Sequence, residues 1–417
     1  MTRHFFVWLH RWTGLFLAGF LILEGLTGSL LAFNGELTRL LNPQMRAAPP
    51  TPDAPLLDLA ALAERAEALV PEARVDYFGA GGPDPVLMRC SPRKNPATGK
   101  PYDIGFKYLV LDPWTGKELG RLQDGHYAQG FVRNIMPFVY DLHMYLALGG
   151  AGAWVLGVVA LLWTLDCYVG FYLTLPVALA GFWGRWRPSW LIKWPAGFFR
   201  LNFDLHRASG LWLWPMLFVF AWSSVMLELP SVYEWTTSAL FDYRSPMDEF
   251  MSVTKHPNDA PRLGWRAAQE IGARLMDEQA ALHGFTVKGP TGLGYISEIG
   301  VYTYAAQGSR DVRERGWNTS LWLDGDTGVL RSLDLPTGEH LGNTVSSWLW
   351  ALHFGDVFGL LAYRIFVCAL GLVITMLSVT GIYIWWKKRS ARIFSAEHRG
   401  LAAKTEGATA YVESSRA

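Results

Sequence analysis

The sequence predicts a membrane α-helical bundle of four transmembrane spans in two tandem repeats, with two α+β domains outside the cytoplasm. Three observations carry that class. The 417 residues are 51% apolar and only 18% charged, where soluble domains usually carry about 25% charge. Four segments are long and apolar enough to cross a bilayer, which takes about 20 residues. Finally, the phrase Leu9-His10-Arg11-Trp12-Thr13-Gly14-Leu15 at the head of the first segment returns as Leu205-His206-Arg207-Ala208-Ser209-Gly210-Leu211 at the head of the third.

The predicted spans are 5–33, 137–176, 199–229 and 346–388. Met1-Thr2-Arg3-His4 leads into apolar sequence without a small-residue cleavage site, so the first span is read as retained and not as a signal peptide. Pro215 lies inside the third span and predicts a kink there. The loop 177–198 carries Arg185, Arg187 and Lys193, with no acid before Asp204. The tail 389–417 follows Lys387 and Lys388 and opens on Arg389. Basic residues stay on the cytoplasmic side, so loop, tail and, with four spans, the N-terminus are expected there.

The connections 34–136 and 230–345 then face the opposite side and have the pattern of folded domains. Each opens with an amphipathic helix by its three-and-four spacing, Leu57 to Val70 and Trp265 to Leu282. Strand-like runs follow, with the turns Asp112-Pro113-Trp114-Thr115-Gly116 and Asp324-Gly325-Asp326-Thr327-Gly328. In both, Asp and Thr bond local backbone and Gly takes positive φ, so a strand doubles back. The ends of spans two and four also agree, Val169-Gly170-Phe171-Tyr172-Leu173 with Thr380-Gly381-Ile382-Tyr383-Ile384. Repeats running in the same direction imply a pseudo-twofold along the membrane normal.

Several chemistries are excluded at this level. A net charge of +1 gives no case for nucleic-acid binding. Cys90, Cys167 and Cys368 stand far apart, and neither C-x-x-C-H nor C-x-x-C occurs, which argues against covalent c-type haem and thiol redox work. No G-x-G-x-x-G follows a strand, so a built-in nicotinamide or flavin domain is not expected.

What remains is four histidines. Asp141-Leu142-His143-Met144 in span two matches Ala351-Leu352-His353-Phe354 in span four. His143 lies 27 residues before Gly170, and His353 lies 28 before Gly381. Spans one and three thus carry a histidine at the cytoplasmic end, spans two and four at the outer end. Ionisable groups within membrane segments are functional candidates by default. Two imidazoles on symmetry-related helices at one depth can bind one metal centre. Gly14, Gly210, Gly149, Gly150, Gly355 and Gly359 leave room for a flat macrocycle. That description suits bis-histidine haem better than a bare ion, which wants three or four protein ligands. The plainer reading is interfacial anchoring, or histidines bonded to backbone and water.

His4, His126, His256, His283, His340 and His398 have no counterpart in the other repeat and are read as surface residues, with His126 and His340 the two nearest a substrate path. Trp114, Trp317, Trp348 and Trp350 are candidates to stack beside that path, although Trp348 and Trp350 are read first as members of an aromatic belt at the membrane interface. Treated as one helix, His353 to Trp385 spans about 48 Å, against roughly 30 Å of hydrocarbon. An outer centre would then sit at or just above the membrane boundary.

The ordered set LHRW-x-G-L, D-x-x-T-G, LHFGDVFG and TGIYIWWKKR resembles the PepSY-associated transmembrane family, some of whose members are ferrisiderophore reductases, and the similarity covers nearly the whole chain. The resemblance implies two b-type haems, one near each face of a bacterial inner membrane, and two periplasmic PepSY-like domains. It assigns the axial ligands as His10 with His206 and His143 with His353. Arg11 and Arg207 then either anchor propionates of the inner haem or serve only as positive-inside anchors. Arg364 either pairs with Glu24 or holds an outer propionate. Asp166 lies near the inner end of span two, and Asp141 and Asp204 are expected to face headgroups or water. The implied activity is electron transfer across the membrane to a periplasmic acceptor such as a ferric siderophore, from an unidentified cytoplasmic or quinol donor. A non-redox PepSY protein that binds peptide, regulates proteolysis or assists metal uptake is the alternative, as is a haem protein coupled to quinone.

Overall fold

The computed structural model describes residues 3–80, 82–123, 132–245, 257–316 and 319–414, with side chains as far as residue 394. In chain order the principal helices are α1 (Arg3–Leu31), α2 (Asn34–Leu41), α3 (Leu59–Leu69), α4 (Ile135–Tyr145), α5 (Gly150–Thr174), α6 (Phe182–Trp186), α7 (Phe198–Trp212), α8 (Trp214–Glu228), α9 (Pro230–Leu240), α10 (Trp265–His283), α11 (Leu341–Phe354) and α12 (Leu360–Ser414). The strands are β1 (Ala73–Gly79), β2 (Val86–Pro92), β3 (Tyr108–Leu111), β4 (Glu118–Leu122), β5 (Val287–Ile296), β6 (Val301–Gly308), β7 (Thr319–Asp324) and β8 (Leu330–Asp334). Two compact units result. One gathers residues 1–26, 159–221 and 369–417, the other 27–158 and 222–368.

α1, α5 and the stretch Leu360–Phe394 of α12 are each long and apolar enough to cross a membrane. α7 and α8 are long and apolar enough only when taken together, and they are bent by 70° at Leu213, as in a broken span or a re-entrant loop. The bend falls where Pro215, the second residue of α8, has no N–H to continue the ladder of α7, as its position in the sequence predicts.

The second and fourth predicted spans are not single helices. Span two is α4, a break, then α5; span four is α11, a break, then α12. In the first break Leu146, Ala147 and Gly149 take positive φ, and in the second Gly355, Phe358 and Gly359 do. Leu146, Ala147 and Phe358 are the non-glycine residues with positive φ among those described, so left-handed backbone collects just after His143 and His353. The straight 48 Å helix expected from His353 to Trp385 is therefore corrected. Gly355 at φ 74° ends α11 as a left-handed cap, and the chain turns before the membrane helix begins. Gly149, Gly355 and Gly359 break helices in this way.

The two long connections meet in one eight-stranded antiparallel sheet of order β4-β3-β2-β1-β5-β6-β7-β8. Each connection supplies a four-strand meander. The meanders join where β1 pairs with β5, Phe78 opposite Leu293. Neither half could cover its inner edge alone, and pairing β1 with β5 removes both exposed edges. α3 and α10 lie on the sheet and bury Leu59, Leu62, Ala63, Trp265, Ala268 and Met276 against Phe78, Met88, Leu111, Tyr302 and Leu321. Asp58 caps α3 by accepting from Ala61 N at 2.8 Å. The two hairpin turns form as read from sequence. Asp112 accepts from the Trp114 and Thr115 amides, Asp324 from the Asp326 and Thr327 amides, and Gly116 and Gly328 take positive φ. In the second turn burial opposes ionisation of Asp324, but bonds from Arg331 and Thr327 outweigh it and bring its carboxyl down to about 2.

Candidate functional site

His10, on α1, and His206, on α7, face each other with ring centroids 6.2 Å apart. Both oxygens of Asp166, on α5, lie 2.9 Å from His10 Nδ1. His206 Nδ1 lies 2.9 Å from the Leu377 carbonyl and 3.1 Å from Thr380 Oγ1, both on α12. A carboxylate and a carbonyl can only accept, so Nδ1 carries the proton in each ring and the Nε2 lone pair is left available. Neither Nε2 has a hydrogen-bond partner among the described residues. This is how metal-binding histidines are usually held: one nitrogen is fixed by a partner and the other faces the site.

The repeat explains how the helices deliver these partners. Gly170 and Gly381 are the matched glycines of α5 and α12. A Cβ built on Gly170 would lie 3.5 Å from His10 Cε1, and one on Gly381 would lie 3.3 Å from His206 Cε1. Each ring therefore rests on a glycine of a membrane helix that follows it, and its partner comes from four residues earlier, Asp166 or Leu377. The second repeat has leucine where the first has the acid, so only the main chain can accept there.

Both rings line a cavity of about 470 Å³, large enough for a small-molecule cofactor. Its walls include Leu15, Leu17, Trp163, Leu211 and Leu217, with Gly14 and Gly210 beside the histidines. Arg3, Arg11, Arg207 and Lys388 also line it. Arg11 makes no hydrogen bond or ion pair among the described residues. Arg207 donates to Asp204 at 2.9 Å and to the Pro188 carbonyl, while its Nε is buried without a partner. Asp204 is fully buried and also takes a bond from Arg200 at 2.8 Å. Its expected place against headgroups or water is corrected: it is buried and accepts from both Arg207 and Arg200.

The other two histidines belong to the second unit. His143 Nδ1 shares a 2.9 Å hydrogen bond with Thr27 Oγ1, and a Cβ on Gly28 would come within 3.1 Å of its Cε1. His353 Nδ1 shares one of 2.7 Å with the hydroxyl of Ser223, which has no solvent exposure. The two rings are close enough for a charge on one to be felt by the other. Thr27 and Ser223 escaped sequence reading because a lone hydroxyl in an apolar helix carries no signal until its neighbour is known.

Arg364 is placed differently from either expectation. Its guanidinium closes on Glu36 of α2, with Nη1 to Oε1 at 2.9 Å, and Nε donates to the Ala32 carbonyl. It also lies over the Phe33 ring at 4.8 Å. Neither a pairing with Glu24 nor a group reaching for a propionate is what the structure places there. Bonding from Arg364 brings the Glu36 carboxyl down to about 2, against the partial burial that works the other way. Beside His353, the buried Asp356 in the helix break accepts from Arg313 at 2.9 Å and Arg315 at 3.1 Å. Arg313 also covers Trp350 and Phe354, which stack with centroids 4.7 Å apart.

The remaining candidates lie elsewhere. His340 is paired with Asp242 at 2.8 Å and His283 with Glu339 at 2.6 Å. His4 is exposed, and Trp348 packs near Phe358. His126, His256 and Trp317 fall outside the described residues, as does the side chain of His398. Among the described residues no three His, Cys, Asp or Glu side chains are grouped as ligands of a bare ion.

Helices of spanning length, an antiparallel sheet between them in sequence, and paired histidines among the helices define a polytopic membrane protein with a large extramembrane part. More particularly, residues 7–388 match the model of the PepSY-associated TM region, and the chain belongs to that family. No curated protein matches the chain.

Proposed function

We propose that the protein is a di-haem electron carrier of a bacterial inner membrane, taking electrons on the cytoplasmic side and delivering them to a periplasmic acceptor, a ferric siderophore. The observation that carries this reading is the spacing of His10 and His206. Two metal–imidazole bonds of about 2 Å and two ring radii add to about 6 Å, and the ring centroids are 6.2 Å apart. A bound haem supplies a one-electron carrier whose potential the protein sets through ligation, burial and hydrogen bonding.

The chain's own residues divide the remaining work. His10 and His206 would hold one haem, with Asp166 and the Leu377 carbonyl fixing the rings so that Nε2 faces inward. The apolar cavity wall would keep water from a bound haem, and Arg3, Arg11, Arg207 and Lys388 would offer positive charge to the acid side chains of the porphyrin. An apolar plane with two carboxylates at one edge matches that distribution. His143 and His353 would hold the second haem, with Thr27 and Ser223 at their Nδ1 atoms. The basic loop and tail support the orientation. At the acceptor, one electron converts the chelated ferric ion to ferrous, which binds hard oxygen ligands more weakly and leaves.

Absorption spectra of the purified protein, air-oxidised and dithionite-reduced, test the cofactor. Two b-type haems per chain are expected, and colourless protein that binds no added haem refutes the reading in favour of a non-redox membrane protein. The acceptor is tested by mixing reduced protein with a ferric hydroxamate and trapping ferrous iron with a chromogenic chelator. Oxidation by a quinone but not by the ferric chelate would move the acceptor to the quinone class.

A further inference from the structure

The two rings of the first pair differ at one group, and the difference has a redox consequence. The Nδ1 of His10 meets a carboxylate, whereas that of His206 meets a carbonyl and a hydroxyl. Asp166 is 9% exposed, and both its oxygens sit 2.9 Å from the ring nitrogen. Leu377 takes the matched position in the other repeat, so the fold itself does not require an acid there. Since a backbone carbonyl orients His206 equally well, orientation alone does not account for the aspartate.

A carboxylate accepting Nδ1–H draws that proton toward itself and leaves negative charge on the imidazole, which makes Nε2 a stronger donor. Its own charge lies in a poorly solvated place, where it acts at close range on the iron. Both effects favour the ferric over the ferrous state and lower the potential. A backbone carbonyl, as at His206, does neither to the same degree.

We infer that Asp166 is a positioning residue that sets a low potential at the His10–His206 centre. The inference rests on the proposed di-haem reading.

The test is a spectroelectrochemical titration of the full-length protein in detergent, wild type against Asp166→Asn. Asparagine keeps the size and an accepting oxygen but removes the charge. One of the two waves should move to higher potential by at least tenfold in its reduction equilibrium, about 59 mV for one electron, while the other stays in place. Asp166→Glu, which keeps the charge, should return most of that shift. Two haems with both waves unmoved in Asp166→Asn overturn the inference, and so does loss of one haem in that variant, which would make Asp166 a scaffold. Absence of haem from wild type is a separate result and refutes the underlying reading instead.

Discussion

At His10 and His206 the ring nitrogens facing away from the cavity donate to groups that can only accept, and each ring lies on a glycine. At His143 and His353 the same nitrogens meet hydroxyls, which can donate or accept, and the helices carrying them stop within a few residues. The first pair is thus held in one tautomer, on the long α1 and on α7, which runs on for six residues past His206. The second is carried by short helices, α4 and α11, that end in left-handed backbone. One sequence duplication has produced a pair with a fixed tautomer and a pair carried immediately before left-handed backbone. A break costs helix hydrogen bonds but brings a sheet loop within reach, since Arg313 and Arg315 land on Asp356 there.

The largest expected effect breaks the comparison into its two halves. His10→Ala and His206→Ala should each lower haem content from two to one per chain, and the double variant should lose no more than either alone. His143→Ala or His353→Ala should remove the other haem, and His10→Ala with His143→Ala should remove both. A pyridine haemochromogen assay on purified protein reads each count, and full retention in any single variant removes that residue as a ligand.

Next is the clamp that distinguishes the second pair. Asp356→Ala removes charge-assisted bonds from two arginines, worth about 2 kcal/mol in a buried setting. Thermal unfolding in detergent should show the loss, and haem at His143 and His353 should become easier to extract than haem at His10 and His206. Equal extraction from both pairs would mean the clamp supports the sheet alone.

The Arg364–Glu36 pair should give a smaller effect. Glu36 is half-exposed, so water replaces part of what Glu36→Gln removes, and about 1 kcal/mol is expected. Its sign with pH is fixed. The folded carboxyl, at about 2, is below its ordinary value, so the stabilisation is complete above the ordinary carboxylate range and is lost as pH falls toward 2. Melting temperatures of wild type and Glu36→Gln should therefore converge on acidification, and a difference unchanged by pH would assign Arg364's partner elsewhere.

What could be read from sequence was whatever repeats or has a local cause. The matched phrases located the four histidines, Pro215 marked the bend between α7 and α8, and the Asp–Thr–Gly turns marked both hairpins. The joining of the meanders through β1 and β5 was not legible, because edge pairing between distant strands leaves no periodic trace. The breaks after His143 and His353 were hidden by continuous apolarity, since hydropathy counts residues and does not see a change of φ at Leu146 or Phe358. Nor could spacing reveal that Asp166 reaches His10 across 156 residues, or that Glu36 would take Arg364.

The finest distinction between the two sites is the room beneath the rings. A methyl on Gly170 would stand 3.5 Å from His10 Cε1, an ordinary contact, whereas one on Gly28 would stand 3.1 Å from His143 Cε1. Both glycines lie within helices, where alanine is favoured by roughly 0.5–1 kcal/mol. Gly170→Ala should therefore keep that gain and leave haem content unchanged. In Gly28→Ala the gain is offset by displacement of the ring, which over-packing makes unfavourable by about 1 kcal/mol or more. The two variants should differ in sign or nearly so when melting temperature and haem retention are measured together. Equal behaviour would show that the His143 ring shifts freely on its hydroxyl partner, which is itself what a site built at a helix break allows and a carboxylate-held ring does not.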